Sequence, residues 1–290
     1  MSTHPFKDFA VHLFSDSVIK ERCPEAIYLN WKTAIAKESP LDRATADSIA
    51  QAMKDWAIEK GATHYSHWFQ PLTGNTAEKH DSFLDSDSKG RAITVFSGKA
   101  LIKGETDGSS FPSGGLRATF EARGYTYWDI TSPAFIRDGV MCIPSIFVSY
   151  NGEPLDQKAP LLKAIEALSR EATRITQSLG DKSVKHVKMM VGAEQEYFLV
   201  DKKMFEERKD LVLAGRTLVG ASAPKGQELE DHYFGSISTR VQGFMDEVNH
   251  ELWKVGIYAK VEHNEVAPGQ YEISPFFNNA NIPARQNQTI

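Results

Sequence analysis

The chain of 290 residues carries 33 Lys and Arg against 38 Asp and Glu, a net charge of −5, with 41% hydrophobic and 24% charged residues. That is the make-up of an ordinary globular protein of one or two domains, and its acidic balance gives no drive toward nucleic acid or an anionic membrane. Two cysteines make no disulfide framework, and neither "MSTHPFKDFAVHLF" nor the most apolar stretch, "GVMCIPSIFVSY" (139–150), has the length and flanks of a signal peptide or membrane span, so a soluble cytoplasmic protein is expected.

The first clear element covers 39–61. Ser39 reads as an N-cap with Pro40 at the first helical position; Leu41, Ile49, Met53 and Trp56 recur at helical spacing, and Gly61 closes the end. Between 64 and 150 short β-prone runs, "RAITVFS" (91–97), "ATFEARGYTYWDI" (118–130) and "CIPSIFVSY" (142–150), alternate with Gly- and Ser-rich turns. A small mixed domain around a sheet is expected, with Tyr125, Tyr127 and Trp128 in its core. His64 and His67 have no further Cys or His to complete a zinc set and read as ordinary structural or surface residues. "SFPSGGLR" (110–117) lacks the Lys-Ser/Thr of a phosphate-binding P-loop and reads as a turn.

"NGEPLDQKAP" (151–160) reads as a linker. After it Leu161, Leu162, Ile165, Leu168, Ala172, Ile175 and Leu179 form one amphipathic helix ending at Gly180. Strand material follows over 184–201. A second long helix carries Ile237, Val241, Phe244, Met245, Val248, Leu252 and Val255 and ends at Gly256, and 257–266 reads as another strand. "NNANIPARQNQTI" offers no terminal element.

The strand "GAEQEYFLV" (192–200) places Glu194 and Glu196 on one face with Phe198 and Val200, because residues two apart in a strand point the same way. In "VEHNEVAPGQYEISP" (261–275) a two-residue turn at Pro268-Gly269 would pair Ala267 with Gln270, Val266 with Tyr271, and Glu265 with Glu272, bringing the last two to roughly 5 Å between Cβ atoms. His263 would share their face. Such pairs of like charges have three explanations: a charged, exposed sheet edge, an all-oxygen site for Mg²⁺ or Mn²⁺, or two carboxyls sharing one proton. Periodicity does not choose among them.

The motifs "GAEQEYFLVD", "HNEVAPGQYEI" and, upstream, "ETDGSSFPSGGLR" (105–117) resemble, in the same order along the chain, the metal-binding strands and the Asp-Gly-Ser-Ser loop of glutamine synthetases. "HYSHWFQPLTGNTAEKHDSFL" (64–84), "FPSGGLRATFEARGYTYWDITSPAF" (111–135) and "ELEDHYFGSI" (228–237) are similar to the class III branch, and the resemblance runs from about residue 20 onward. It implies an α+β fold: an N-terminal helical extension over 1–62, a β-grasp-like domain over 63–152, and over 153–290 the first part of an antiparallel catalytic sheet with its helices.

By that resemblance Glu196, Glu265 and Glu272 hold a divalent metal on the glutamate side, and Glu194 contributes to a second metal beside the ATP phosphates. Asp107 binds ammonium and helps remove its proton, usually in a neighbouring subunit's site, and Ser110 shapes the ammonium pocket. The implied reaction joins ammonia to glutamate through γ-glutamyl phosphate, with Mg²⁺ or Mn²⁺, ATP as substrate and a homo-oligomer whose sites are shared between subunits. Class III chains are more than twice as long; the expectation is therefore an N-terminal part, inactive alone and prone to association through an exposed edge. The alternatives are a γ-glutamyl-amine or polyamine ligase and a non-catalytic assembly or regulatory homologue.

Overall fold

The computed structural model describes residues 6–37, 39–70, 80–107, 123–221 and 225–290. These residues fall into two compact units, Met1–Met189 with Lys254–Gly256, and Met190–Trp253 with Ile257–Ile290.

The first unit begins with helices α1 (Asp16–Arg22), α2 (Glu25–Lys37) and α3 (Arg43–Glu59). Asp42, not Ser39, caps α3: its carboxylate accepts from Thr45 N at 2.9 Å and Thr45 Oγ1 at 2.6 Å, so the helix starts three residues later than the Ser-Pro signal suggests. Ile49, Met53 and Trp56 line its buried face, and Gly61 follows the helix in the left-handed region at φ +86°.

Next come β1 (His64–Trp68), β2 (Asp81–Ser82), β3 (Leu84–Ser86), β4 (Ala92–Thr94), α4 (Gly98–Ile102), β5 (Lys103–Asp107), β6 (Arg123–Trp128), β7 (Phe135–Arg137) and β8 (Val140–Ser149). One sheet runs β2-β1-β8-β6-β5, with β7 also on β8; β1 and β8 are parallel and the other pairs antiparallel. The apolar stretch 139–150 is thus the central strand of this sheet. Met141 and Ile143 share one core with Phe14, Ile19 and Trp31 and with the buried face of α3, so the helices and the sheet fold as a single unit.

Helix α5 (Lys158–Ser178) follows, with Gly180 at φ +115°. The stretch 151–160 is pinned, not loose, contrary to the linker reading. Asp156 is fully buried and accepts from the backbone N–H groups of Lys158 and Ala159 at the start of α5. Lys158 Nζ lies 2.6 Å from the buried Asp129. Polar residues that look like a connection therefore anchor the helix to the sheet.

The second unit holds β9 (Met190–Val191), β10 (Gln195–Phe198), α6 (Lys202–Glu207), α7 (Lys209–Ala214), α8 (Thr239–Lys254), β11 (Ala259–Asn264), β12 (Gln270–Pro275), β13 (Asn278–Asn279) and α9 (Asn281–Thr289). A three-stranded antiparallel sheet runs β10-β12-β11, and β13 pairs with β9. The polar tail is thus a strand and a helix, contrary to the expectation of no terminal element. Pro283 stands in the first turn of α9, where a missing N–H costs nothing, and Gln195 Nε2 donates to Asn287 O at 2.9 Å. Val241 and Met245 of α8 pack on Tyr271 of the sheet with Tyr197 and Leu199, which accounts for the helical periodicity of 237–255.

Candidate functional site

The site grows out of strand register. Glu196 of β10 lies directly across from Glu272 of β12, and Glu272 lies across from His263 of β11. Paired residues in antiparallel strands share a face, and so do residues two apart, which puts Gln270 on that face as well, while Glu194 stands just before β10 with its charge acting on Glu272. Tyr197 and Tyr271, one residue along, point to the opposite face, where α8 covers them. Alternation therefore sends the aromatic rings to the helix and the acids to the other side. Phe198 lies on the acid side, and both it and Val200 remain 60% exposed, so that half of the run is not the buried core its apolarity suggests.

The hairpin register differs from the sequence reading. Glu265 N donates to Gln270 O at 2.9 Å and Gln270 N to Ala267 O at 3.0 Å, so Glu265 opposes Gln270 and the loop has four residues, 266–269. Gly269, at φ +80°, follows Pro268 in a turn of type II character, whose twist does not match a two-residue hairpin. The turn sits inside a longer loop for that reason, and the partner across from Glu272 is His263.

Glu265 and Glu272 nevertheless meet. They are 8% and 9% exposed, and their carboxyls share a hydrogen bond. Burial pushes the Glu272 carboxyl up to about 7, with the hydrogen bond to Glu265 and the charges of Glu194 and Glu265 acting in the same direction and His263 opposing. Gln270 Nε2 donates to Glu196 Oε2 at 2.7 Å. Among the described residues His263 Nδ1 is buried without a hydrogen-bond partner, and its ring lies 4.4 Å from that of Tyr233. Among the described residues no three His, Cys, Asp or Glu side chains converge as a ready-made cation cage. The acids share a face, and paired carboxylates of this kind are what a hard divalent cation takes as ligands.

Asp107 is the last residue of β5, at the edge of the first unit's sheet, opposite Arg123. Ser110 and the run 110–117 lie outside the described residues. The imidazole of His67 lies 2.8 Å from Thr126 Oγ1 and 2.6 Å from Ala100 O, so this histidine is structural as expected, and His64 Nδ1 lies 2.8 Å from Thr63 Oγ1. Trp128 is buried, whereas Tyr125 and Tyr127 are half-buried beside Lys103, whose ammonium sits 3.3 Å over the Tyr125 ring. Gln270 escaped the sequence reading, although it was legible from its place two residues before Glu272.

Solved structures share this fold. A Plasmodium falciparum glutamine synthetase matches with a TM-score of 0.52 and 16% identity over 84% of this chain and 47% of its own. GmaS in complex with ADP matches at 0.51 and 13% over 82% of this chain and 46% of its own. The architecture is that of a glutamine-synthetase-type α+β protein. Residues 6–164 match the family "Glutamine synthetase type III N terminal" and residues 169–288 match "Glutamine synthetase, catalytic domain", and the chain belongs to the type III glutamine synthetase family. It is 52% identical to a glutamine synthetase of Bacteroides fragilis over 97% of its length and 50% identical to a type-3 glutamine synthetase of Dictyostelium discoideum over 94%. It spans 38% of the length of each of these relatives.

Proposed function

We infer that this chain supplies the glutamate-side wall of a site that joins ammonia to the γ-carboxylate of L-glutamate, driven by ATP. The observation that carries this reading is the single sheet face shared by Glu196, His263 and Glu272, with Glu265 hydrogen-bonded to Glu272 and the charge of Glu194 acting on it, in a chain of this family. A carboxylate does not react with ammonia directly, because oxide is the leaving group. Transfer of the γ-phosphoryl group of ATP gives γ-glutamyl phosphate, from which ammonia displaces phosphate.

Glu196, Glu265 and Glu272 would hold one divalent cation, Mg²⁺ or Mn²⁺, and Glu194 would contribute to a second. Such cations neutralise the charge gathered between phosphate and carboxylate oxygens. The chain's own residues prepare the face. Gln270 fixes the Glu196 carboxylate by donating to it, and Glu265 and Glu272 stand buried beside one another, where they would serve as ligands. Asp107 would attract ammonium and accept its proton, directly or through a relay. Sites shared between copies in a homo-oligomer fit this division of roles.

The test is ATP-dependent γ-glutamyl hydroxamate formation. The 290-residue chain alone is expected to form none, because it spans 38% of the length of the relatives it matches. Turnover by this polypeptide alone would overturn that assignment. Where the coding frame is extended past Ile290, acceptance of ammonium in preference to polyamines supports the ammonia ligase, and the reverse preference supports the amine ligase.

A further inference from the structure

The backbone carbonyl of Glu265 accepts a hydrogen bond from His232 Nδ1 at 2.7 Å. A carbonyl only accepts, so this contact fixes the tautomer with the proton on Nδ1. The His232 ring stands edge-on to Tyr271, centroids 5.9 Å apart. Two more contacts join the same segment to the hairpin: Asn264 Nδ2 donates to Gly235 O at 2.7 Å, and the Tyr233 ring lies on His263. Just upstream, Leu229 and Glu230 both adopt positive φ, +62° and +53°, which side-chain-bearing residues avoid. Leu229 is 93% exposed, so burial does not hold it there. The contacts at 232–235 offset that strain by binding the segment to the strand end that carries Glu265.

We propose that His232 is a positioning residue for the acid face: by holding the Glu265 carbonyl it fixes the peptide from which the Glu265 carboxylate reaches Glu272. The proposal rests on the reading that this face holds a divalent cation. The second contact of a ligand residue orients the first, and its removal weakens metal binding by about 10- to 100-fold. An interaction that merely stabilised the fold would change the melting temperature and leave cation affinity alone.

The experiment is a titration of the purified 290-residue chain with MnCl₂, reading free Mn²⁺ by electron paramagnetic resonance, for wild type, His232→Ala, His232→Asn and Glu272→Gln, with circular dichroism confirming folding. His232→Ala is expected to weaken Mn²⁺ binding about 10- to 100-fold. His232→Asn, which keeps an N–H donor near the Nδ1 position, stays near wild type. Wild-type affinity in His232→Ala while Glu272→Gln binds weakly would overturn the proposal and leave the acid face intact. Equal losses in the Ala and Asn variants would also overturn it, since the donor would then not be what matters. Absence of Mn²⁺ binding by the wild type, or no effect of Glu272→Gln, would remove the acid-face reading and the proposal with it.

Discussion

Glu272→Gln should make the chain more stable and the proposed cation site worse. Glu272 is buried beside Glu265, with which it is hydrogen-bonded, and burial is the first cause of its raised carboxyl, at about 7 against an ordinary 4.5. The folded chain therefore favours the protonated form. Stability from this group is fully present below about pH 4.5, declines as pH rises, and is gone above about 7. At roughly 1.4 kcal/mol per tenfold change the shift corresponds to about 3 kcal/mol, and screening at this partly wet site lowers that to about 1–2 kcal/mol. A glutamine cannot ionise and still donates to Glu265. At pH 8 in EDTA the variant should therefore melt higher; a unit of roughly one hundred residues shifts about 4–8 °C per kcal/mol. At pH 5 the two proteins should nearly coincide. Saturating Mn²⁺ should reverse the order at pH 8, because only the wild type gains binding free energy. Melts followed by circular dichroism at both pH values decide it. Coincident melts in EDTA at pH 8, or equal gains with Mn²⁺, would refute the reasoning.

Three further outcomes follow from the first unit. Lys158→Met strands Asp129, whose side chain is 5% exposed, and should cost about 3–5 kcal/mol in urea unfolding; a loss under about 1 kcal/mol contradicts the buried pair as an anchor. Burial pushes the Asp156 carboxyl up to about 6 against an ordinary 3.8, partly opposed by the N–H groups of Phe147, Ala159 and Lys158, so its contribution is present below about pH 4 and lost as pH rises to about 6. Asp156→Asn should flatten the stability curve across that window, and an unchanged slope would count against the assignment. At Gly98 an added Cβ would stand 2.5 Å from Asp47 N and 2.6 Å from Ala46 C, so Gly98→Ala should push α4 off α3 and cost about 1–3 kcal/mol in the same unfolding assay; a neutral variant contradicts that close approach.

The parts of this fold that were legible are those in which local pattern and packing agree. The stripes Ile49–Met53–Trp56 and Val241–Met245 meet real cores, and Gly61, Gly180 and Gly256 adopt the positive φ that ends their helices. The acid face was legible through strand alternation and motif resemblance. The Glu196–Glu272 pairing was not, because it depends on which strands become neighbours. Hairpin register failed on turn chemistry: Pro-Gly specifies the turn but not how many residues surround it. The anchor of 151–160 was invisible because Asp129 and Lys158 are ordinary surface residues until the fold brings them together. His232 is the same case, since its partner is a backbone carbonyl 33 residues away.

The most direct measurement of the central claim is an anomalous difference map of the chain crystallised with Mn²⁺. The expected result is a peak on the acid face with carboxylate oxygens of Glu196, Glu265 and Glu272 at about 2.1 Å, the spacing of a hard, oxygen-ligated cation. A fully loaded crystal with no manganese at those three carboxylates would contradict it.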